Sequence, residues 1–227
     1  MLSALSFDAD QTLWDFRGVQ ERALEATIAA MVERGDVVAG SLDVAALIDA
    51  RAEVVEGFRG RPHRLEEVRR QSFRLVLDQA GHARADAAAD ELLEIFLAVR
   101  FDQIRLFPEV REALLRVKRT HRIGLLSNGN TYPERCGLPG VFDVVVLGPD
   151  HGFEKPDPRA FEMVAAGLGV EPGCLVHVGD DWDDIVGANR VGATSVYINR
   201  EGADPEFRGE ADHEIRDLTD LEALLAR

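Results

Sequence analysis

Two aspartates one residue apart follow the first apolar segment of the chain. The segment runs from Leu2 to Phe7, and Asp8 and Asp10 come directly after it. Residues at i and i+2 of a strand point the same way, so both carboxylates would lie at one end of a sheet. Two unit charges about 4 Å apart repel by roughly 4 kcal/mol at an effective dielectric near 20. Such a pair suits a divalent-metal site or a nucleophile beside an acid/base group, although an Asp-rich turn that caps a helix is the alternative.

Three later apolar segments are also followed by groups that can do chemistry. These groups are Ser127 and Asn128, then Lys155, then the run from Asp180 to Asp184. In open parallel sheets, ligands bind at the carboxyl ends of the strands, where these groups would lie. Transfer of a phosphoryl group from an oxygen ester needs a nucleophile, a proton for the leaving alkoxide and neutralisation of the phosphoryl oxygens. The four segments together supply all three.

Each of these groups suits one part of that reaction. Asp8 can attack as a carboxylate, and Asp10 can donate and accept the proton. Mg²⁺ prefers oxygen ligands, which Asp8, the backbone carbonyl of Asp10 and Asp180 would supply. Ser127 and nearby N–H groups can hold the phosphoryl oxygens. Lys155 can balance the negative charge of Asp8 and the phosphate.

The elements that must position these groups form two blocks. Residues 17 to about 100 carry apolar stripes at the helical period, which predict a bundle of about four helices. After Phe107, short apolar strands alternate with helices and predict a parallel sheet covered on both faces. The strands after the first are predicted at 123–126, 144–147, 175–178 and 195–198. The first strand belongs with this sheet because a lone strand leaves both of its edges unpaired.

Composition limits the classes of partner. The chain has 227 residues and a net charge of −15, so it repels nucleic acid and anionic membranes. No apolar run approaches the 18 residues that a transmembrane helix needs. With two cysteines, Cys136 and Cys174, and no signal-peptide pattern, the chain is predicted to be cytoplasmic with reduced thiols. We expect a monomer or a homodimer.

The chain resembles the haloacid dehalogenase-like (HAD) hydrolase superfamily in four ordered motifs that span nearly its whole length. They are Asp8-Ala9-Asp10-Gln11-Thr12, Ser127-Asn128, Lys155-Pro156, and Gly179-Asp180 with Asp184. The helical block resembles the C1-type cap of subfamily I. The resemblance implies an α/β fold with a Rossmann-like, doubly wound parallel sheet. The core domain would comprise residues 1–16 and 101–227, and the inserted helical cap residues 17–100.

The resemblance also implies roles for the motif residues. Asp8 would form an aspartyl-phosphate that water then hydrolyses with Asp10 as the base, and the Thr12 hydroxyl would orient Asp10. Lys155 would act as a third catalytic residue and bind phosphate together with Thr12, Ser127 and Asn128. Mg²⁺ would be held by Asp8, Asp10, Asp180 and Asp184. Within the last motif, Asp181 or Asp183 could replace Asp184.

The predicted function is a Mg²⁺-dependent phosphatase acting on a small phosphorylated metabolite. The aspartate at position 10 resembles the phosphatases and phosphomutases of the family, whereas its haloacid dehalogenases carry other residues there. A phosphomutase on the same scaffold is one alternative, and a haloacid dehalogenase is a second. A binding protein that keeps the site without turnover is a third, and retention of both Asp8 and Asp10 argues against it.

Several residues outside the motifs could have either a functional or a structural role. His177 interrupts an apolar strand and is predicted to be a hydrogen-bonded core histidine. Packing is also the predicted role of Trp14 and Trp182. Five basic residues of the helical block could contact an anionic leaving group, although a solvated, charged helix face is favoured. They are Arg51, Arg59, Arg61, His63 and Arg64.

Overall fold

The computed structural model describes residues 4–59 and 61–225, and these form two compact units. The first unit comprises residues 4–15, 105–148 and 153–225, and the second comprises residues 16–59, 61–104 and 149–152. The sequence predicts the change of unit at 16/17 and 100/101. In the structure it falls after Asp15 and after Ile104. The predicted start of the first strand, Leu2, lies outside the described residues.

The described part of the second unit contains four long helices, as the apolar stripes predict. They are α1 (Arg17–Glu33), α2 (Val44–Glu56), α3 (Leu65–Gln79) and α4 (Ala85–Gln103). Leu24, Leu47 and Phe73 are among the fully buried side chains of their common core. The Asp43 carboxylate caps α2 by accepting a hydrogen bond from the Ala46 N–H at 2.8 Å. We call this unit the helical unit.

The first unit is built on a sheet whose strands are all parallel in the described chain. They are β1 (Ala4–Phe7), β2 (Arg122–Ser127), β3 (Val144–Leu147), β4 (Leu175–Gly179), β5 (Thr194–Ile198) and β6 (His213–Ile215). The helices of this unit are α5 (Val110–Val117), α7 (Pro158–Leu168), α8 (Trp182–Arg190) and α9 (Leu221–Leu225), whereas all of α6 (Gly148–His151) after its first residue belongs to the second unit. The predicted α/β fold is therefore confirmed. We call this unit the sheet unit.

One strand, β6, is absent from the sequence prediction. It has only three residues, of which His213 and Glu214 are exposed, so it lacks the apolar run that marks a buried strand. It pairs with β5 at the edge of the sheet. Pairing with β5 and burial of the single side chain of Ile215 hold it there.

The order of the strands brings the chemical groups to one place. The order is β3-β2-β1-β4-β5-β6, so β1 lies between β2 and β4. The chain leaves β1 toward β2 on one side and later returns to β4 on the other, which makes the carboxyl end of β1 a topological switch point. The loops after β1, β2 and β4 therefore open beside one another. No helix in the described part of the chain is long and apolar enough to span a bilayer.

Candidate active site at the carboxyl end of the sheet

The loop after β1 presents two carboxylates in a tightly folded turn. The Asp8 N–H donates to the Val178 carbonyl at 2.8 Å, which extends the pairing of β1 with β4 by one residue. Gln11 then adopts a left-handed conformation with φ 64°, and its N–H donates to the Trp14 carbonyl at 2.8 Å. A non-glycine residue with this φ is uncommon, so the surrounding contacts must hold the turn.

Asp10 is oriented by two donors that the sequence analysis did not assign to it. Trp14 Nε1 donates to Asp10 Oδ1 at 2.7 Å, and Thr131 Oγ1 donates to the same oxygen at 3.1 Å. The prediction that the Thr12 hydroxyl orients Asp10 is corrected here, because that hydroxyl donates to Asp180 Oδ1 at 3.3 Å. Thr12 is fully buried and its hydroxyl joins the first motif to the last. Trp14 is fully buried as predicted, and its indole N–H also serves the site.

The turn after β2 lies against Asp10. Ser127 is buried, and its Oγ accepts a hydrogen bond from the Gly129 N–H at 2.9 Å. A Cβ on Gly129 would lie only 2.7 Å from Asp10 Oδ2, so the turn approaches Asp10 closely because residue 129 has no side chain. The first two motifs, more than 110 residues apart in the chain, thus form one wall of the site.

Asn128 holds the lysine segment in place. Its Nδ2 donates to the Lys155 carbonyl at 2.9 Å, and its Oδ1 accepts from the Lys155 N–H at 2.7 Å. Asn128 is predicted as a phosphate ligand, and this assignment is corrected for its side chain, whose amide is engaged on both sides by Lys155. The pair of hydrogen bonds fixes the backbone of residue 155 at the end of β2. The residue type of Asn128 gave no sign of this long-range contact.

The Lys155 ammonium is the central cation of the site. It is buried, and it donates to Asp8 Oδ1 and to Asp184 Oδ1, the latter at 2.5 Å. Burial by itself lowers the pKa of Lys155, but the carboxylates of Asp184 and Asp8 raise it above its usual value. Lys155 is therefore protonated throughout the neutral range, which suits a charge-balancing role and excludes its use as a base.

Burial also sets the ionisation of the two carboxyl groups. It raises the pKa of Asp8 well above its usual value, and the carboxylates of Asp184 and Asp180 add to this effect against the attraction of Lys155. Burial would raise the pKa of Asp184 as well, but Lys155 and His177 hold that pKa far below its usual value. The most deeply buried carboxylate is thus permanently charged, and Asp8 is the group whose charge needs further compensation.

The aspartates before α8 have different roles, which are capping of the helix and contact with Lys155. Asp181 is the N-cap of α8 and accepts from the Trp182 N–H at 2.7 Å. Asp184 completes a capping box with Asp181, and its other oxygen contacts Lys155. Asp183 is only partly buried and lies outside the cluster of Asp8, Asp180 and Asp184. Of the three alternatives that the sequence leaves open, Asp184 is the one that lies with Asp8 and Asp180.

His177 is a buried histidine with both ring nitrogens bonded, as the sequence predicts. Nδ1 lies 2.8 Å from Ser6 Oγ, and Nε2 lies 2.9 Å from Asp184 Oδ1. Burial lowers the pKa of His177, so the ring is neutral, with Nε2–H donating to Asp184 and Nδ1 accepting from Ser6. The sequence did not predict this link between His177 and the site. The signal was available, because Ser6 and His177 are polar residues in register on neighbouring apolar strands.

Three carboxylates could hold a metal ion. One oxygen each from Asp8, Asp180 and Asp184 can be chosen so that all three lie within 4.8 Å of one another. An all-oxygen, anionic donor set fits a hard cation such as Mg²⁺, which keeps several waters in its octahedron. Lys155 neutralises only part of this charge, so the cluster retains a net negative charge that a cation would offset. The residues therefore fit the ion.

The fold and this site together define a class of hydrolase. The family model for haloacid dehalogenase-like hydrolases matches residues 2–192. The chain belongs to this family, as its motifs indicate, and is an enzyme of the hydrolase class.

The proteins to which the chain is similar include two phosphatases and a 2-haloacid dehalogenase. Over 241 aligned residues the chain is 30% identical to a glyceraldehyde 3-phosphate phosphatase of Methanopyrus kandleri, with 100% of both chains covered. It is also 30% identical to a 5-amino-6-(5-phospho-D-ribitylamino)uracil phosphatase of Escherichia coli, covering 89% of this chain and 86% of that one. Among solved structures, a 2-haloacid dehalogenase from Pseudomonas syringae has a TM-score of 0.89 and 32% identity, covering 100% of this chain and 99% of that one.

Proposed function

We propose that this protein is a Mg²⁺-dependent phosphatase that hydrolyses a small phosphorylated metabolite through an aspartyl-phosphate on Asp8. The observation that carries the proposal is the position of Asp10. Its carboxyl group is held by Trp14 and Thr131 beside the Ser127 turn, where an acid/base group is needed for cleavage of an oxygen ester. The two phosphatases reported above add support.

In the first step, a carboxylate oxygen of Asp8 attacks phosphorus in line with the leaving oxygen. The new bond joins Asp8 to phosphorus, the ester P–O bond breaks, and Asp10 gives its proton to the leaving alkoxide. Because Trp14 and Thr131 both donate to Oδ1 of Asp10, the transferable proton belongs on Oδ2. The Ser127 hydroxyl and the N–H groups of its turn hold the phosphoryl oxygens, and Lys155 offsets their charge.

In the second step, Asp10 removes a proton from water, and the resulting hydroxide adds to phosphorus. The bond to Asp8 breaks, inorganic phosphate leaves, and both carboxyl groups return to their starting states. Asp8, Asp180 and Asp184, with the Asp10 carbonyl, would hold Mg²⁺, which neutralises phosphoryl charge when it is bound. Thr12 and Asn128 serve the reaction indirectly, since they orient Asp180 and Lys155.

Release of phosphate with and without metal tests the proposal. We expect p-nitrophenyl phosphate to be hydrolysed in millimolar Mg²⁺, and EDTA to lower the rate by about 10³-fold or more because the charge of the cluster is then uncompensated. Acid quenching during turnover should trap labelled phosphate on the protein. Phosphate release that continues unchanged in EDTA would contradict the metal requirement, and absence of any phosphoryl-protein would contradict the covalent route.

The same assay separates the alternatives. The similarity to a 2-haloacid dehalogenase makes dehalogenation the second candidate, and its signature is halide release from 2-chloropropionate that survives EDTA. A phosphomutase would convert one sugar-phosphate isomer into another with little free phosphate. A binding protein would give none of these products. We further propose a cytoplasmic monomer or homodimer whose helical unit is the family's cap.

The hydrogen bond from Trp14 to Asp10 predicts a dependence on the leaving group. In Trp14→Phe the ring stays but the donor is lost, so Asp10 is less well placed to protonate an alkoxide. We expect kcat/KM to fall about tenfold for an alkyl phosphate, the equivalent of one hydrogen bond. For p-nitrophenyl phosphate, whose leaving group needs no proton, it should change much less. The measurement is the ratio of the two kcat/KM values.

The matched control for this variant is Trp182→Phe. Trp182 is 41% exposed at the start of α8, and the substitution should leave the ratio unchanged. If Trp14→Phe lowers both kcat/KM values equally, its hydrogen bond does not serve the acid.

A further inference from the structure

The helical unit contains a buried arginine for which the proposed reaction provides no role. Arg69 lies in the second turn of α3 and is only 5% exposed. Its charged neighbours are two more arginines, Arg51 on α2 and Arg100 on α4, and Arg100 is 3% exposed. Arg69 is not among the basic residues predicted to contact an anion, whereas Arg59 and Arg61, which are among them, are exposed.

No carboxylate pairs with the buried Arg69 in the part of the chain that the structure describes. Among the described residues, no hydrogen-bond acceptor is within reach of its Nη1. Its guanidinium instead lies near two aromatic rings, with its Cζ 4.9 Å from the centroid of Phe96 and 5.9 Å from that of Phe73. Burial and repulsion by Arg51 and Arg100 lower the pKa of Arg69 to about 9, so it still carries its charge at neutral pH.

Arginines on the same helix that lie nearer to solvent are paired with acids. Arg70 contacts Asp90 at 2.5 Å, and Arg74 contacts Asp78 at 3.4 Å. A buried charge without a partner destabilises a fold, and replacement by an apolar side chain of similar volume is often neutral or stabilising. A ligand that pairs with the Arg69 charge would remove this cost, whereas packing alone would not.

The arginine cluster lies at a defined end of the helical unit. The Cζ of Arg100 is 4.7 Å from the centroid of the Phe16 ring. Phe16 is the first residue of the unit, and Ile104, four positions after Arg100, is the last of its main segment. The cluster is thus at the end where the chain enters and leaves this unit.

We propose that Arg69, with Arg51 and Arg100 beside it, forms a binding site in the helical unit for a small oxyanion, a carboxylate or a phosphate. The planar guanidinium donates two parallel hydrogen bonds to such a group, which a single ammonium cannot do. In a chain of net charge −15, an anion can be held only where cations are concentrated, as they are here. The proposed ligand is a separate small molecule that carries such a group.

Thermal unfolding in the presence of anions tests the site without relying on turnover. The probes are malonate and inorganic phosphate, added in EDTA at constant ionic strength. For the wild type we expect each probe to raise the unfolding midpoint by about 2 °C or more at saturation. Arg69→Met should lose the response to malonate, and without any anion its midpoint should equal or exceed that of the wild type.

Two further variants keep the test decisive. Arg74→Met removes a paired arginine from the exposed side of the same helix, and its response to malonate should match that of the wild type. Arg69→Lys keeps the charge but loses the forked donor, and should bind malonate about tenfold more weakly. Equal malonate responses in the wild type and in folded Arg69→Met would overturn the proposal, as would a shift that Arg69→Lys retains in full.

Discussion

Replacing Asp8 with asparagine is expected to lower kcat for phosphate release by about 10⁴-fold or more. Asparagine has the same shape but no nucleophilic carboxylate, and the Lys155 ammonium would then face an uncharged group. The acid-stable phosphoryl-protein should disappear together with turnover. The measurements are the rate of phosphate release in Mg²⁺ and the labelled phosphate retained after acid quenching.

Stability should change in the opposite direction from activity in this variant. Burial and the neighbouring carboxylates raise the pKa of Asp8, so its ionised form is disfavoured in the folded state at neutral pH. A carboxyl group with a raised folded pKa stabilises the fold below its unfolded pKa, and this contribution is lost as the pH rises. The neutral asparagine escapes that penalty, so the free energy of unfolding at pH 7 should be equal to or greater than that of the wild type.

The matched control is Asp183→Asn in the aspartate run before α8. Asp183 is partly buried and lies outside the carboxylate cluster, so this variant should keep phosphate release within a few-fold of the wild type. An Asp8→Asn protein that remains folded and hydrolyses phosphate esters at the wild-type rate would refute the nucleophile. A large loss in the control would show that the acid run acts as a unit.

Lys155→Met is expected to damage stability and activity together. The substitution leaves the buried Asp8 and Asp184 side chains, which are 9% and 2% exposed, without their shared cation. Removing one partner of a buried ion pair costs about 3 to 5 kcal/mol, so the free energy of unfolding should fall by that amount at pH 7. Phosphate release should fall by about 10³-fold because the phosphoryl charge loses its fixed cation.

The pH dependence of stability distinguishes this electrostatic cause from lost packing. In the wild type, Lys155 holds the pKa of Asp184 below its usual value, so the stabilisation is present above the unfolded pKa of about 4 and is lost as the pH falls. In Lys155→Met the pKa of Asp184 rises above its unfolded value. Ionisation of Asp184 then destabilises the fold near pH 7, and its protonation at lower pH removes this destabilisation. The difference in unfolding free energy between the two proteins should therefore shrink as the pH is lowered from 7 to about 5.

The control for Lys155→Met is Lys118→Met. Lys118 is partly exposed and contacts Asp143 at 3.1 Å, so its loss should change the free energy of unfolding by about 1 kcal/mol or less. A pH-independent deficit in Lys155→Met would show that packing, and not the two buried carboxylates, accounts for the damage.

The local pattern of apolar residues was sufficient to predict most of the strands and helices. The runs at 144–147 and 175–178 are long enough and apolar enough to identify β3 and β4 to within one residue. The four stripes of the helical block likewise identify α1 to α4. The sequence did not predict β6, because this strand has no apolar run. It is recognised as a strand by its pairing with β5 at the edge of the sheet.

For the candidate site, the sequence predicted which polar groups come together better than it predicted the hydrogen bonds that they make. Asp8, Asp180, Asp184 and Lys155 come together as the order of motifs predicts. The partners of Thr12 and Asn128 were misassigned, because residue type does not reveal which of several nearby groups a hydroxyl or amide will reach. Arg69 had a signal that went unused: it lies four residues from both Leu65 and Phe73, on the apolar side of α3.

The sequence by itself determined which segments are strands and helices and which polar groups follow each strand, because both depend on periodicity and position along the chain. Only the tertiary structure decided which side chains bond to one another. Thr131 reaches Asp10 across 121 positions and Asn128 reaches Lys155 across 27. Such contacts depend on distances of a few tenths of an ångström between packed elements, which no local pattern encodes.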